Sequence, residues 1–356
     1  MLPGTAAATT ARDFRPIPIM RKRRTRLAAF AAILIAAALV LIFWIQYKAP
    51  PEPARLLPEA DGYFYVDLRP LRAAGLFRNL PEVALDPEYL DFVQRTGFRF
   101  ERDLDQAAVA FHLPAPGSHD PTRYSEVFAG RFDPAKLEPY LKQTATSSEL
   151  YRGSDLLSVP LPGRTLRVSM LGPGRIAASN ASTPDAVRSI IDNAKAFPLG
   201  LRGPSLLHDY YPNIPLGSVL WMIVRIPQTT GDGSSPGFSA PGGFFVGLSG
   251  ASTVIVSLRY TGSINLRAEA FAPNESEAAR LSDSLTAYLT LVRAIQFGGS
   301  SPVGNNPDGK NNDIRQLLES LKVERHKDRV VLFASVSPTL LKSIFTEPPS
   351  APQKRP

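Results

Sequence analysis

The sequence predicts an α+β protein: an N-terminal transmembrane helix, then antiparallel sheets with helices on one face. Three observations point there. Leu27 to Ile45 is a run of nineteen residues without a charge. Short β-branched and aromatic runs recur from Tyr63 to Ser335, as strands require. Several of these runs pass into a helical pattern that opens on a capping residue.

The anchor comes first in the chain. At 1.5 Å rise per residue, about 20 apolar residues cross the hydrocarbon core of a bilayer. Arg21, Lys22, Arg23, Arg24 and Arg26 abut the N-terminal end of the run, and only Lys48 follows closely at the other end. Positive residues stay cytoplasmic, so these charges orient residues 1–26 inward and the long C-terminal part outward, into a periplasm or the cell exterior. Trp44 and Tyr47 stand where interfacial aromatics are expected. A cleaved signal peptide would have a shorter apolar region ending in a small-x-small site, whereas this run closes on Phe43, Trp44 and Ile45. Residues 27–47 therefore read as a single-pass signal-anchor in the inner membrane, with the lipid bilayer as partner. Residues 48–55, with Pro50, Pro51 and Pro53, read as an extended spacer.

Beyond the spacer, eight runs read as strands: Tyr63–Leu68, Ala107–Leu113, Val127–Arg131, Leu166–Leu171, Val219–Ile226, Val254–Arg259, Ile264–Phe271 and Val330–Ser335. Asp133-Pro134, Thr183-Pro184 and Ser337-Pro338 each pair an N-cap residue with proline at the first helical position. A further helix opens at Asn274 with Glu277 three residues on, a capping-box variant. Another spans Asp313 to Leu321. The order of elements repeats, giving two weakly similar halves, 56–197 and 205–346, each with its own antiparallel sheet. Strand spacings are too short for parallel crossovers. Residues 227–250, with seven glycines and three prolines, and 298–312 read as long loops. Residues 347–356 read as a disordered tail.

The charge of +8 belongs to the ends of the chain. Residues 1–26 carry seven basic residues against Asp13, and Lys48, Lys354 and Arg355 add three more, which leaves −1 for residues 49–347. A nucleic-acid partner needs a basic face on the folded part, so none is expected. The absence of cysteine excludes disulfides, thiolate metal sites and a cysteine nucleophile.

No motif identifies a catalytic, cofactor-binding or metal-binding residue. Gly304 to Lys310 has the spacing of a phosphate-binding loop, but Asn311 stands where a magnesium-holding hydroxyl is needed and no strand leads in. Gly247-Leu248-Ser249-Gly250 resembles a nucleophile elbow, yet a strand pattern follows where that turn needs a helix. His112, His119, His208 and His326 lack metal-ligand spacing. Asp103, Asp105, Glu82, Asp86, Glu88 and Asp91 read as solvated charge.

Leu57-Pro58-Glu59-Ala60-Asp61-Gly62 followed by the strand Tyr63–Leu68, together with the helix start at Phe132-Asp133-Pro134, resembles the extracytoplasmic domains of uncharacterised bacterial membrane-anchored proteins. The resemblance implies the α+β fold and no known activity. The expected function is a non-catalytic binding or assembly module of the cell envelope that engages an envelope protein or ligand. The alternative is an envelope hydrolase whose site no motif marks; a deep polar cleft with convergent ionisable groups would distinguish it.

Overall fold

A computed structural model describes residues 49–75, 87–114, 118, 120–196, 203–226, 251–298 and 316–336. The predicted anchor, with Arg21, Lys22, Arg23, Arg24, Arg26, Trp44 and Tyr47, lies outside the described residues. So do residues 227–250, the phosphate-loop-like string, the Ser337-Pro338 helix start and the tail. No helix among the described residues is long and apolar enough to cross a membrane.

The strand runs read from the sequence all form strands. They are β1 (Gly62–Asp67), β2 (Leu104–His112), β3 (Arg123–Gly130), β6 (Arg164–Gly172), β8 (Ser218–Arg225), β9 (Thr253–Tyr260), β10 (Ile264–Phe271) and β12 (Arg329–Val336). Four more join them: β4 (Ser147–Tyr151), β5 (Ser154–Leu161), β7 (Arg175–Ser179) and β11 (Lys322–His326). The helices are α1 (Glu52–Arg55), α2 (Leu68–Ala73), α3 (Pro87–Thr96), α4 (Phe100–Asp103), α5 (Pro134–Thr144), α6 (Asp185–Ala196), α7 (Ser205–Tyr210), α8 (Glu275–Gly298) and α9 (316–320).

The twelve strands among the described residues form a single sheet in the order β11-β12-β10-β9-β8-β1-β2-β3-β7-β6-β5-β4. Every pairing is antiparallel. The expectation of a sheet for each half is corrected by the seam: β1 pairs with β8 as well as β2, with Tyr65 opposite Trp221. Outward from that seam the order is alike on both sides. Three consecutive strands are followed by a helix, and the chain returns so that β7 pairs with β3, and β12 with β10.

The helices lie on both faces, not on one. Strand residues alternate between faces, and cross-strand partners share a face. Tyr63, Tyr65, Ala108, Ala110, Val127, Ala177, Trp221, Ile223 and Ile255 pack against Ala54 of α1, Val187, Ile190 and Ile191 of α6, and Leu206 and Leu207 of α7. The alternate residues take the other helices. Val168, Ile176 and Ala178 pack against Leu137 of α5, and Val254, Val256, Ala268 and Ala270 against Leu281 of α8. A helical pattern shows that a helix has an apolar side, not which face of the sheet receives it. Burying one such aliphatic side chain contributes about 1.5–3 kcal/mol.

The spacer is also corrected at its end. Residues 52–55 are helical, Pro53 and Ala54 are buried, and Glu52 forms an ion pair with Arg175. The proline after Pro51 suits a helix start, where its missing N–H costs nothing.

Candidate functional site

The candidate site is built by strand ends. β3 and β7 are antiparallel neighbours, as are β7 and β6. The start of β3, the end of β7 and the start of β6 therefore meet at one end of the sheet. The turn into β6 is Pro162-Gly163, with Gly163 at φ +72°, a backbone conformation that glycine adopts without steric cost. Arg164 follows at once. Arg123 opens β3, and Asn180, Ala181 and Ser182 leave β7 toward α6.

These segments line a groove of about 590 Å³, within the size range of ligand pockets. Its described lining contains Arg123, Arg164 and Arg167 and no acidic residue. The Asn180 segment is well fixed. The Asn180 side-chain oxygen accepts from the Tyr124 N–H (2.6 Å), and the Asn180 backbone N–H donates to the Tyr124 carbonyl (3.1 Å). The Arg167 guanidinium donates to the carbonyls of Ala181 and Ser182, the latter at 2.9 Å. Arg167 thus braces the wall.

Arg123 makes no ion pair among the described residues, nor does Arg164. Glu126, on the opposite side of β3 from Arg123, senses the Arg164 charge. Burial pushes the Glu126 carboxyl above its ordinary range, and the Arg164 charge opposes that shift. Thr122, Thr165 and Ser182 add hydroxyls that form no side-chain hydrogen bond among the described residues. Each guanidinium offers five N–H donors in a planar fork, and each hydroxyl one donor beside its acceptor lone pairs, so the groove is rich in donors. Such a surface can hold an oxyanion; among its described lining residues there is no carboxylate or imidazole to act as a general base.

Beneath the groove the His112 Nε2 lies 2.9 Å from the Ser125 Oγ, which is 3.2 Å from the Ser179 Oγ. Ser125 and Ser179 are fully buried, so neither hydroxyl meets solvent. Burial lowers the His112 pKa below its ordinary value, partly offset by Asp61. This chain of polar groups ties β2, β3 and β7 together.

The other residues weighed in the sequence are scattered. Asp103 is no solvated turn residue. It is buried, accepts from the Arg99 N–H (3.0 Å) and pairs with Arg102 (2.7 Å), which holds its carboxyl below the usual range. Asp105 pairs with Arg72. Glu88 and Asp91 lie exposed on α3, while Glu82, Asp86 and His119 lie outside the described residues. His208 sits on α7 rather than in a loop, and His326 is 3.4 Å from Glu324. The described residues contain no cluster of His, Asp and Glu able to hold a metal ion. Sequence reasoning missed Arg123, Arg164 and Arg167. They follow no motif, and only the strand register unites them.

No protein-family model matches the chain, and no curated protein matches it in sequence. Among solved structures, crystal form III of TP0453 is similar at a TM-score of 0.44 and 12% identity, over 84% of this chain and 99% of that one. Crystal form IV is similar at 0.40 and 12%, over 85% and 99%.

Proposed function

We propose that this chain is a membrane-tethered binding module of the bacterial cell envelope, with no catalytic step of its own. Residues 27–47 serve as the anchor, residues 1–26 face the cytoplasm, and the sheet domain lies outside. The groove at Arg123, Arg164 and Arg167 carries the reading: its described lining is rich in hydrogen-bond donors and holds no carboxylate or imidazole to act as a general base. The apolar run and its basic flank support the tether.

The test uses the full chain in its membrane. A photo-cross-linking residue at Thr165, inside the groove, is expected to give a discrete adduct in intact cells, and the same residue at exposed Leu150 only background. A reporter active only outside the cytoplasm, fused after Pro356, is expected to be active. Background labelling at both positions sinks the binding module. A silent reporter sinks the topology.

A further inference from the structure

We infer that the groove between β3, β6 and β7 binds a phosphate group, as a free phosphate monoester or as the headgroup of an anionic phospholipid. This rests on the reading of the domain as a binding module and names its ligand class. Two features carry it. The described lining residues include three arginines and no carboxylate, and the hydroxyls of Thr122, Thr165 and Ser182 are unused among the described residues.

The division of labour among the arginines matters. Arg167 is committed to two backbone carbonyls and contributes its charge while holding the wall. Arg123 and Arg164 line the groove and form no side-chain hydrogen bond or ion pair among the described residues. They stand on opposite faces of the sheet end, because Arg123 belongs to the alternation of Ser125 and Val127, and Arg164 to that of Leu166 and Val168. A ligand bridging them must accept hydrogen bonds from two directions. One carboxylate is satisfied by a single bidentate arginine; a phosphate has further oxygens for a second arginine and for hydroxyls. The groove is also larger than phosphate alone needs, leaving room for the glycerol or sugar that carries it.

The experiment places the full-length protein in uncharged detergent and titrates glycerol 1-phosphate, followed by phosphorus NMR and by the shift in Tm. A second arm measures cosedimentation with phosphatidylcholine vesicles with and without phosphatidylglycerol. Binding in the first arm alone assigns a soluble phosphate; dependence on phosphatidylglycerol alone assigns a lipid headgroup; either supports the inference. The double variant Arg123→Gln/Arg164→Gln is expected to weaken binding at least tenfold with its own Tm retained. Arg123→Lys/Arg164→Lys keeps the charge without the fork and is expected to fall between. Binding in neither arm overturns the inference, as does equal binding by wild type and the glutamine variant. A Thr165 adduct in cells together with no phosphate binding leaves the module standing and removes only its ligand class.

Discussion

At the scale of single residues, His112 sets a pH dependence whose sign follows from its burial. Its folded-state pKa lies below the ordinary value, so protonation favours the unfolded chain. Stability from this group is complete above the unfolded pKa of about 6.5 and is lost as pH falls toward the folded value. Glu126 acts oppositely: its raised pKa makes the fold gain stability as pH falls through the folded value. Asp103, with a lowered pKa, matters only at lower pH still. The Tm of the full chain is therefore expected to drop from pH 7.5 toward pH 5.5, and less steeply in His112→Gln, whose amide can still reach the Ser125 hydroxyl. Identical slopes in the two proteins would refute this assignment. Gly130 shows a different constraint at the same scale. A Cβ there would lie 2.5 Å from the Asp103 carbonyl oxygen, so the backbone of β3 approaches α4 only because the side chain is missing.

At the scale of elements, helix caps are legible in the sequence and sheet edges are not. The Asn274 carboxamide oxygen accepts from the Glu277 N–H at 2.9 Å, as the sequence pattern implied. Asn274→Ala is expected to cost about 1 kcal/mol in urea unfolding of the full chain, and Asn274→Asp little, since a carboxylate suits a helix N-terminus. An alanine variant with wild-type stability would mean that α8 is held by its packing alone. Asp133 caps α5 likewise, accepting from the Ala135 N–H at 3.1 Å. The helix after Thr183-Pro184 starts one residue later than its proline suggests. Three of the four strands absent from the sequence pattern have physical reasons for it. β4 (Ser-Ser-Glu-Leu-Tyr) and β11 (Lys-Val-Glu-Arg-His) are the two edges of the sheet and bury no complete face, so their alternation never becomes apolar. The middle of β7 is Ala177-Ala178, side chains too small to announce a strand although both are buried. The groove was illegible for a related reason. Arg123 and Arg167 are separated by a whole excursion through α5, β4 and β5, and no local spacing joins them.

At the scale of the molecule, the seam between β1 and β8 decides what can fold alone. Tyr63 and Tyr65 are buried, and Tyr65 stacks on Trp221 with ring centroids 5.4 Å apart. Tyr211 meets the same indole edge-on at 5.4 Å. A chain ending at residue 202 would lose those partners and expose β1 as an open edge, which invites association. Such a half is expected to aggregate or to unfold without a cooperative transition. A monomeric half with a sharp urea transition would show that the two similar halves are independent domains after all. The seam has an optical consequence as well. The chain has two tryptophans, Trp44 in the apolar run and Trp221 between Tyr65 and Tyr211. With Trp44 replaced by phenylalanine, the intrinsic fluorescence of the whole protein comes from one indole sealed at the centre of the sheet. Its emission colour then reports, without any added label, whether the two runs of strands are still joined.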